Sequence, residues 1–175
     1  RICVRKLIPR SRPFPLMLSA KPQLNLQSAR EYFREHLCTG DYYSAGRKVT
    51  GEWVGHGAEM LGLKGAVKEA DFLALCEGRN PTTGERMTAR LNSEREQDGR
   101  MVANRRVFYD FTLSPPKSVS VVGLLQDDRI LALHDRAVRD TLRELERFAE
   151  TRVRKAGADV DRRTGNVVAA TFQHD

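Results

Sequence analysis

Tyrosine is the first residue type here whose placement could do chemistry. Tyr32 is followed ten positions later by the pair Tyr42 and Tyr43. A phenol has an ordinary pKa of about 10, so only about one part in a thousand is ionised at neutral pH. A tyrosine nucleophile therefore needs a base or a metal beside it. Tyrosines at helix ends also pack half-buried, and residue type alone leaves both readings open. Asp110 is the second signal, in the middle of VFYDFTLS over 107–114. The alternation puts Val107, Tyr109, Phe111 and Leu113 on one strand face and Phe108, Asp110, Thr112 and Ser114 on the other. A carboxylate among aromatics must be paired or shifted in pKa. Pro115-Pro116-Lys117-Ser118 then opens a helix, where a missing N–H costs least. The free N–H groups of a helix start suit a phosphate, to which Ser114, Lys117 and Ser118 would add donors and charge. A capping serine and a solvated lysine explain the same residues without a ligand. His174 ends a run with Val168, Ala170 and Phe172 on one side. A single histidine packs or hydrogen-bonds more often than it ligates. His36, His56 and His134 have no ligand spacing, so no complete metal site assembles from the sequence.

These residues need elements to hold them. Ser28 to Leu37 is predicted as a helix capped by Ser28, with Glu31 completing a capping box, and Gly40 ends it. A polar stretch from Asp41 to Glu52 holds Tyr42 and Tyr43. Gly55 and Gly57 bracket His56 before a short helix at Ala58 to Leu61. A second helix covers Val67 to Glu77, and residues 80–84 form a turn. Thr88 to Arg105 reads as a polar loop. The strand at 107–114 runs into a helix over Lys117 to Leu125. Asp128 to Lys155 reads as one amphipathic helix through Ile130, Val138, Leu142, Leu145, Ala149 and Val153, ended by Gly157. Asp161 to Gly165 is a turn and Asn166 to His174 the last strand. Together these predict an α+β fold, an antiparallel sheet with helices packed on it.

The chain has 175 residues, of which 40% are hydrophobic and 30% charged, enough for one domain and one core. The longest apolar run, Val119 to Leu125, is far short of the roughly 17–25 residues of a membrane-spanning helix. Three cysteines, Cys3, Cys38 and Cys76, with no C-x-x-C suggest neither a disulfide framework nor a zinc ribbon, and point to a reducing cytoplasm. The net charge of +7 hints at a polyanion partner. Arg1, Arg5, Lys6, Arg10 and Arg12 carry five of those charges, which leaves +2 for the rest. Residues 1–16 hold no acid, contain Pro9, Pro13 and Pro15, and show no helix or strand period. They are expected to be a non-native or disordered leader, with Met17 the start of the domain.

The segment Tyr109 to Ser120 (YDFTLSPPKSVS) resembles the strand-helix motif of conjugative relaxases of the MobF class, the HUH endonucleases typified by TrwC and TraI. Trp53 to Ala58, Leu61-Gly62-Leu63, Asn80 to Glu85, and Thr164-Gly165-Asn166 leading to Phe172-Gln173-His174 are similar too. The resemblance runs from Met17 to Asp175 and covers the N-terminal part of that domain. It implies an HUH-type α+β fold in truncated form, and an enzyme that nicks one DNA strand and transfers it through a 5′-phosphotyrosyl intermediate. Tyr32-Phe33 matches the family's first tyrosine pair and Tyr42-Tyr43 the second. Tyr32 is then the nicking nucleophile, and Tyr42 or Tyr43 would serve a second transfer. Asp110 matches an acid beside the metal-binding histidines. His174 matches the first of three histidine ligands for a divalent cation (Mg, Mn or Zn), whose site this chain leaves incomplete. The implied partners are single-stranded DNA at a transfer origin and conjugation accessory proteins, in the cytoplasm. The alternative is a non-catalytic remnant that at most binds single-stranded DNA.

Overall fold

The computed structural model describes residues 2–6, 18–34, 50–88, 93–97, 100–127 and 129–173. Along the chain, β1 (Ile2–Lys6) and β2 (Leu18–Gln23) precede α1 (Leu26–Tyr32). Next come β3 (Glu52–Val54), α2 (His56–Met60), α3 (Glu69–Glu77), β4 (Glu94–Gln97) and β5 (Arg100–Ala103). β6 (Phe108–Leu113) leads into α4 (Lys117–Leu125) and α5 (Arg129–Arg147), and β7 (Glu150–Lys155), β8 (Ala158–Arg163) and β9 (Ala169–Gln173) follow.

A five-stranded sheet in the order β2-β6-β1-β9-β3 is the middle layer. On one face Ala29 of α1, Phe33 just after it, and Phe72 and Cys76 of α3 pack on Phe108, Ala170 and Phe172. On the other, Val138 and Leu142 of α5 pack on Leu113, Val167 and Ala169, with Phe111 against them. The alternation holds along β6, where each face has its own helix layer to fill, but Val107, just before the strand, packs in the cluster of Phe108 and not with Phe111 and Leu113. Burying a side chain of Phe or Leu size contributes about 1.5–3 kcal/mol, so these two clusters are the main hold on the sheet. Tyr109 shares the α5 face but is only half-buried, its ring against Phe111 and the Arg106 guanidinium 5.6 Å above it.

The α+β expectation holds, and β2–β6 and β3–β9 are antiparallel. The sheet is nevertheless mixed, because β1 runs parallel to both β6 and β9. That corrects the reading of residues 1–16 as lacking a strand period. Ile2 to Lys6 fill the central position of the sheet, where backbone pairing on both sides outweighs the weak local pattern. Residues 7–17 lie outside the described residues.

Other boundaries shift for local reasons. α1 begins two residues before Ser28 because Asn25 caps it: its Oδ1 accepts the Gln27 N–H at 2.7 Å and its carbonyl accepts from Ala29. The segment read as a polar loop contains the β4–β5 hairpin. The long helix stops at Arg147, and Glu150 to Lys155 instead pair with Ala158 to Arg163 as an antiparallel ribbon, which also replaces the turn expected from Asp161. α4 matches its predicted span, but Pro116 occupies its N-cap and no side chain caps it. Cys76 is buried and not in a disulfide. No helix among the described residues is long and apolar enough to cross a membrane.

Candidate active site

α1 brings a tyrosine to the sheet through its neighbour. Phe33 is buried, its ring 4.9 Å from Phe72 and edge-on to Phe172 at 5.9 Å. The backbone widens into a π turn at Phe33 and Arg34, a local irregularity frequent at functional sites. Two ion pairs, Arg34 to Glu69 at 2.8 Å and Arg30 to Glu77 at 3.6 Å, tie α1 to α3. With Phe33 fixed in the core, Tyr32 lies half-buried, 5.7 Å from the Phe108 ring, and its hydroxyl donates a hydrogen bond to Oδ2 of Asp110. Asp110 is 2% exposed, the most buried acid among the described residues. A carboxylate taken from water at this depth is held only by partners, and the phenol is one of them. The two residues are 78 positions apart in the chain. The arrangement can move a proton from the phenol to the carboxylate, which is what a tyrosine nucleophile requires.

The strands align Lys21, Asp110, Cys3, Ala170 and Trp53 in one row across the sheet. Ala170 lies four positions before His174, which follows the last residue of β9 and is outside the described residues. Tyr42 and Tyr43 are outside them as well. The expected phosphate group stands at the end of β6 and the start of α4. Leu113, where β6 ends, is about 10 Å along the strand from Asp110, and Ser114, Lys117 and Ser118 lie beyond it. Lys117 and Ser118 are exposed at the start of α4. Among the described residues no three His, Cys, Asp or Glu side chains come together as a metal site would require.

One positioning residue carries no motif of its own. Oε1 of Glu146 accepts the His56 N–H at 2.8 Å and the Val167 N–H at 2.7 Å, so α5 clamps the glycine-flanked loop to the entry of β9. Gly55 (φ 102°) makes the fit possible, since a Cβ there would lie 2.3 Å from the Val167 carbonyl oxygen. The two glycines around His56 were the only trace of this contact in the sequence.

The TrwC relaxase family model matches residues 26–175, and the chain belongs to that family. It is 36% identical over 160 residues to the multifunctional conjugation protein TraI of Escherichia coli (strain K12), covering 91% of this chain and 8% of TraI. It is also similar to the metal-bound structure of the conjugative relaxase TrwC in complex with oriT DNA. There the identity is 33% and the TM-score 0.65, over 91% of this chain and 51% of that one. The copper-bound TrwC complex gives 33% identity and a TM-score of 0.67, over 90% of this chain and 51% of that one. The chain therefore spans about half the length of the solved relatives and a small part of the curated ones.

Proposed function

We propose that this chain is the N-terminal part of a conjugative relaxase domain formed by residues 17–175, with Ile2–Lys6, expected to belong to a foreign leader, built into its sheet as β1. It acts in the cytoplasm on single-stranded DNA at a transfer origin, and conjugation accessory proteins would deliver that DNA. The observation that carries the reading is the Tyr32 hydroxyl on the buried Asp110 carboxylate. Tyr32 gives its proton to Asp110 and its oxygen attacks phosphorus. The bond from phosphorus to the 3′ oxygen breaks, and that oxygen takes up a proton. The products are a 5′-phosphotyrosyl link and a free 3′-hydroxyl. One phosphoester replaces another, so reversal rejoins the strand without a nucleotide. Tyr42 or Tyr43 would carry a second transfer.

A divalent cation belongs to this reading, supported by the metal-bound and copper-bound TrwC complexes. His174 is the ligand this chain would offer, and Mg, Mn and Zn all suit such a site. The cation would offset charge on the phosphate.

The test uses a version extended to the length of the solved relatives, a suicide oligonucleotide spanning a transfer origin, and a denaturing gel for the covalent adduct. Tyr32→Phe removes only the hydroxyl, so the variant should fold and lose the adduct. Adduct formation at the parent rate by Tyr32→Phe, with loss in Tyr42→Phe, would move the nucleophile to the second pair. Indifference to both changes would end the relaxase reading.

A further inference from the structure

We propose that Lys21 holds the phosphate presented to Tyr32, an inference that rests on the relaxase reading. Lys21 and Asp110 are directly opposite in the antiparallel β2–β6 pair. Directly opposed residues point to the same face with Cβ atoms about 4.5–5.5 Å apart. That face carries Tyr32, whose hydroxyl reaches Asp110. The two flanks of this pair differ. On one, the sheet continues through β1 and β9; on the other, β2 is the edge strand, exposed from Leu18 to Pro22. A strand of DNA can therefore reach Tyr32 from the β2 side, where Lys21 is an exposed cation of the described edge strand.

Asp110 cannot bind that phosphate, since both are anionic and the carboxylate is needed for the phenol proton. Lys21 can: its ammonium is a compact charge with three donors on a flexible stem, suited to a non-bridging phosphate oxygen. Among the described residues no carboxylate forms an ion pair with it. The group in line with the base is thus a cation free to take an anion, while Ser114, Lys117 and Ser118 follow the end of β6. Lysine and Pro22 at a sheet edge also discourage edge-to-edge pairing. That role needs a charge at the edge but no contact with DNA, so the two can be separated.

The experiment uses the 175-residue chain with labelled tyrosine rings and a short oligothymidylate. Affinity is followed across salt concentrations by fluorescence anisotropy, and the Tyr32 ring resonance, assigned through Tyr32→Phe, by NMR. Lys21→Gln should melt with the parent, bind more weakly, and lower the slope of log K against log salt by about 0.7, the value for one phosphate contact on single strands. The Tyr32 resonance should move on DNA addition in the parent and in Lys21→Arg, and stay still in Lys21→Gln. A parent-like slope and Tyr32 response in Lys21→Gln would overturn the proposal and leave the relaxase reading standing. If the parent binds no oligothymidylate at any salt, both fall together.

Discussion

β6 and β8 are equal in length, six residues each, and both carry mid-strand aspartate. Asp110 is buried on the sheet, whereas every residue of β8 is exposed. What separates them is the number of neighbours. β6 is hydrogen-bonded on both sides and covered on both faces, so each residue along it meets a different demand. β8 pairs only with β7, and its ribbon is tied down at the base, where the Thr164 and Gly165 N–H groups reach the Ala149 carbonyl at 2.9 and 3.4 Å. The local pattern of a strand thus says little about its role until the strands beside it are known. Chemistry that needs a desolvated carboxylate has a place on β6 and none on β8.

The largest test of that comparison is to take a neighbour away. Among the described residues, β1 is the strand that joins the β2–β6 and β9–β3 pairs. Deleting residues 1–6 should split the sheet, expose the facing edges of β6 and β9, and abolish cooperative thermal unfolding by calorimetry. A deletion variant that melts within a few degrees of the parent would mean that the helix layers alone hold the two halves together, and that β6 owes its burial to them.

The same contrast sets what could be read in the sequence. The β6–α4 junction was legible because strong local signals agree there: period-two alternation, then Pro115-Pro116 at a helix start. The meeting of Tyr32 and Asp110 was legible only through family resemblance, since no local signal joins residues 78 positions apart. β1 was not legible, because its five residues become a strand through partners more than a hundred positions away. The end of α5 was hidden too. No glycine or proline interrupts 129–155, and the helix stops at Arg147 because Thr151 and Val153 find cross-strand partners in Arg162 and Val160. The β4–β5 hairpin was read as loop, although Asp98-Gly99 between two short runs is a hairpin signal. Lys21 and Glu146 drew no notice, as a register and a backbone clamp leave no motif.

A matched pair of truncations measures the contrast residue by residue. Phe172 is 1% exposed and meets Phe33, while Val160 on β8 is 49% exposed. Phe172→Ala should cost about 3–5 kcal/mol, transfer and cavity together. Val160→Ala should stay within about 0.5 kcal/mol. Urea unfolding midpoints at equal slope give both values. Similar losses would show that the ribbon is part of the cooperative core, contrary to its pairing.

The smallest expected effect lies at the periphery, where one exposed group acts on one turn. Asp127 caps α5: its Oδ1 accepts the Arg129 N–H at 3.0 Å, and its Oδ2 accepts from the guanidinium Nη2 at 2.7 Å. The Arg129 side chain, and then its backbone N–H, hold the Asp127 carboxyl below its usual value. A carboxyl whose folded pKa is depressed lends stability that is fully present above its ordinary pKa of about 3.9, and loses it as pH falls through the lower folded value. Between neutral pH and about 5 nothing should change; below about 4 the first turn of α5 should fray while the sheet holds. Amide protection factors at Ile130 and Leu131, followed from pH 6 to pH 3, report this directly. In Asp127→Asn the amide oxygen can still accept the backbone N–H, but the titrating charge is gone, so the acid-dependent loss should vanish. If Asp127→Asn frays along the same acid profile as the parent, another carboxylate governs the turn. If β6 amides lose protection in step with Ile130, the periphery and the sheet are one cooperative unit.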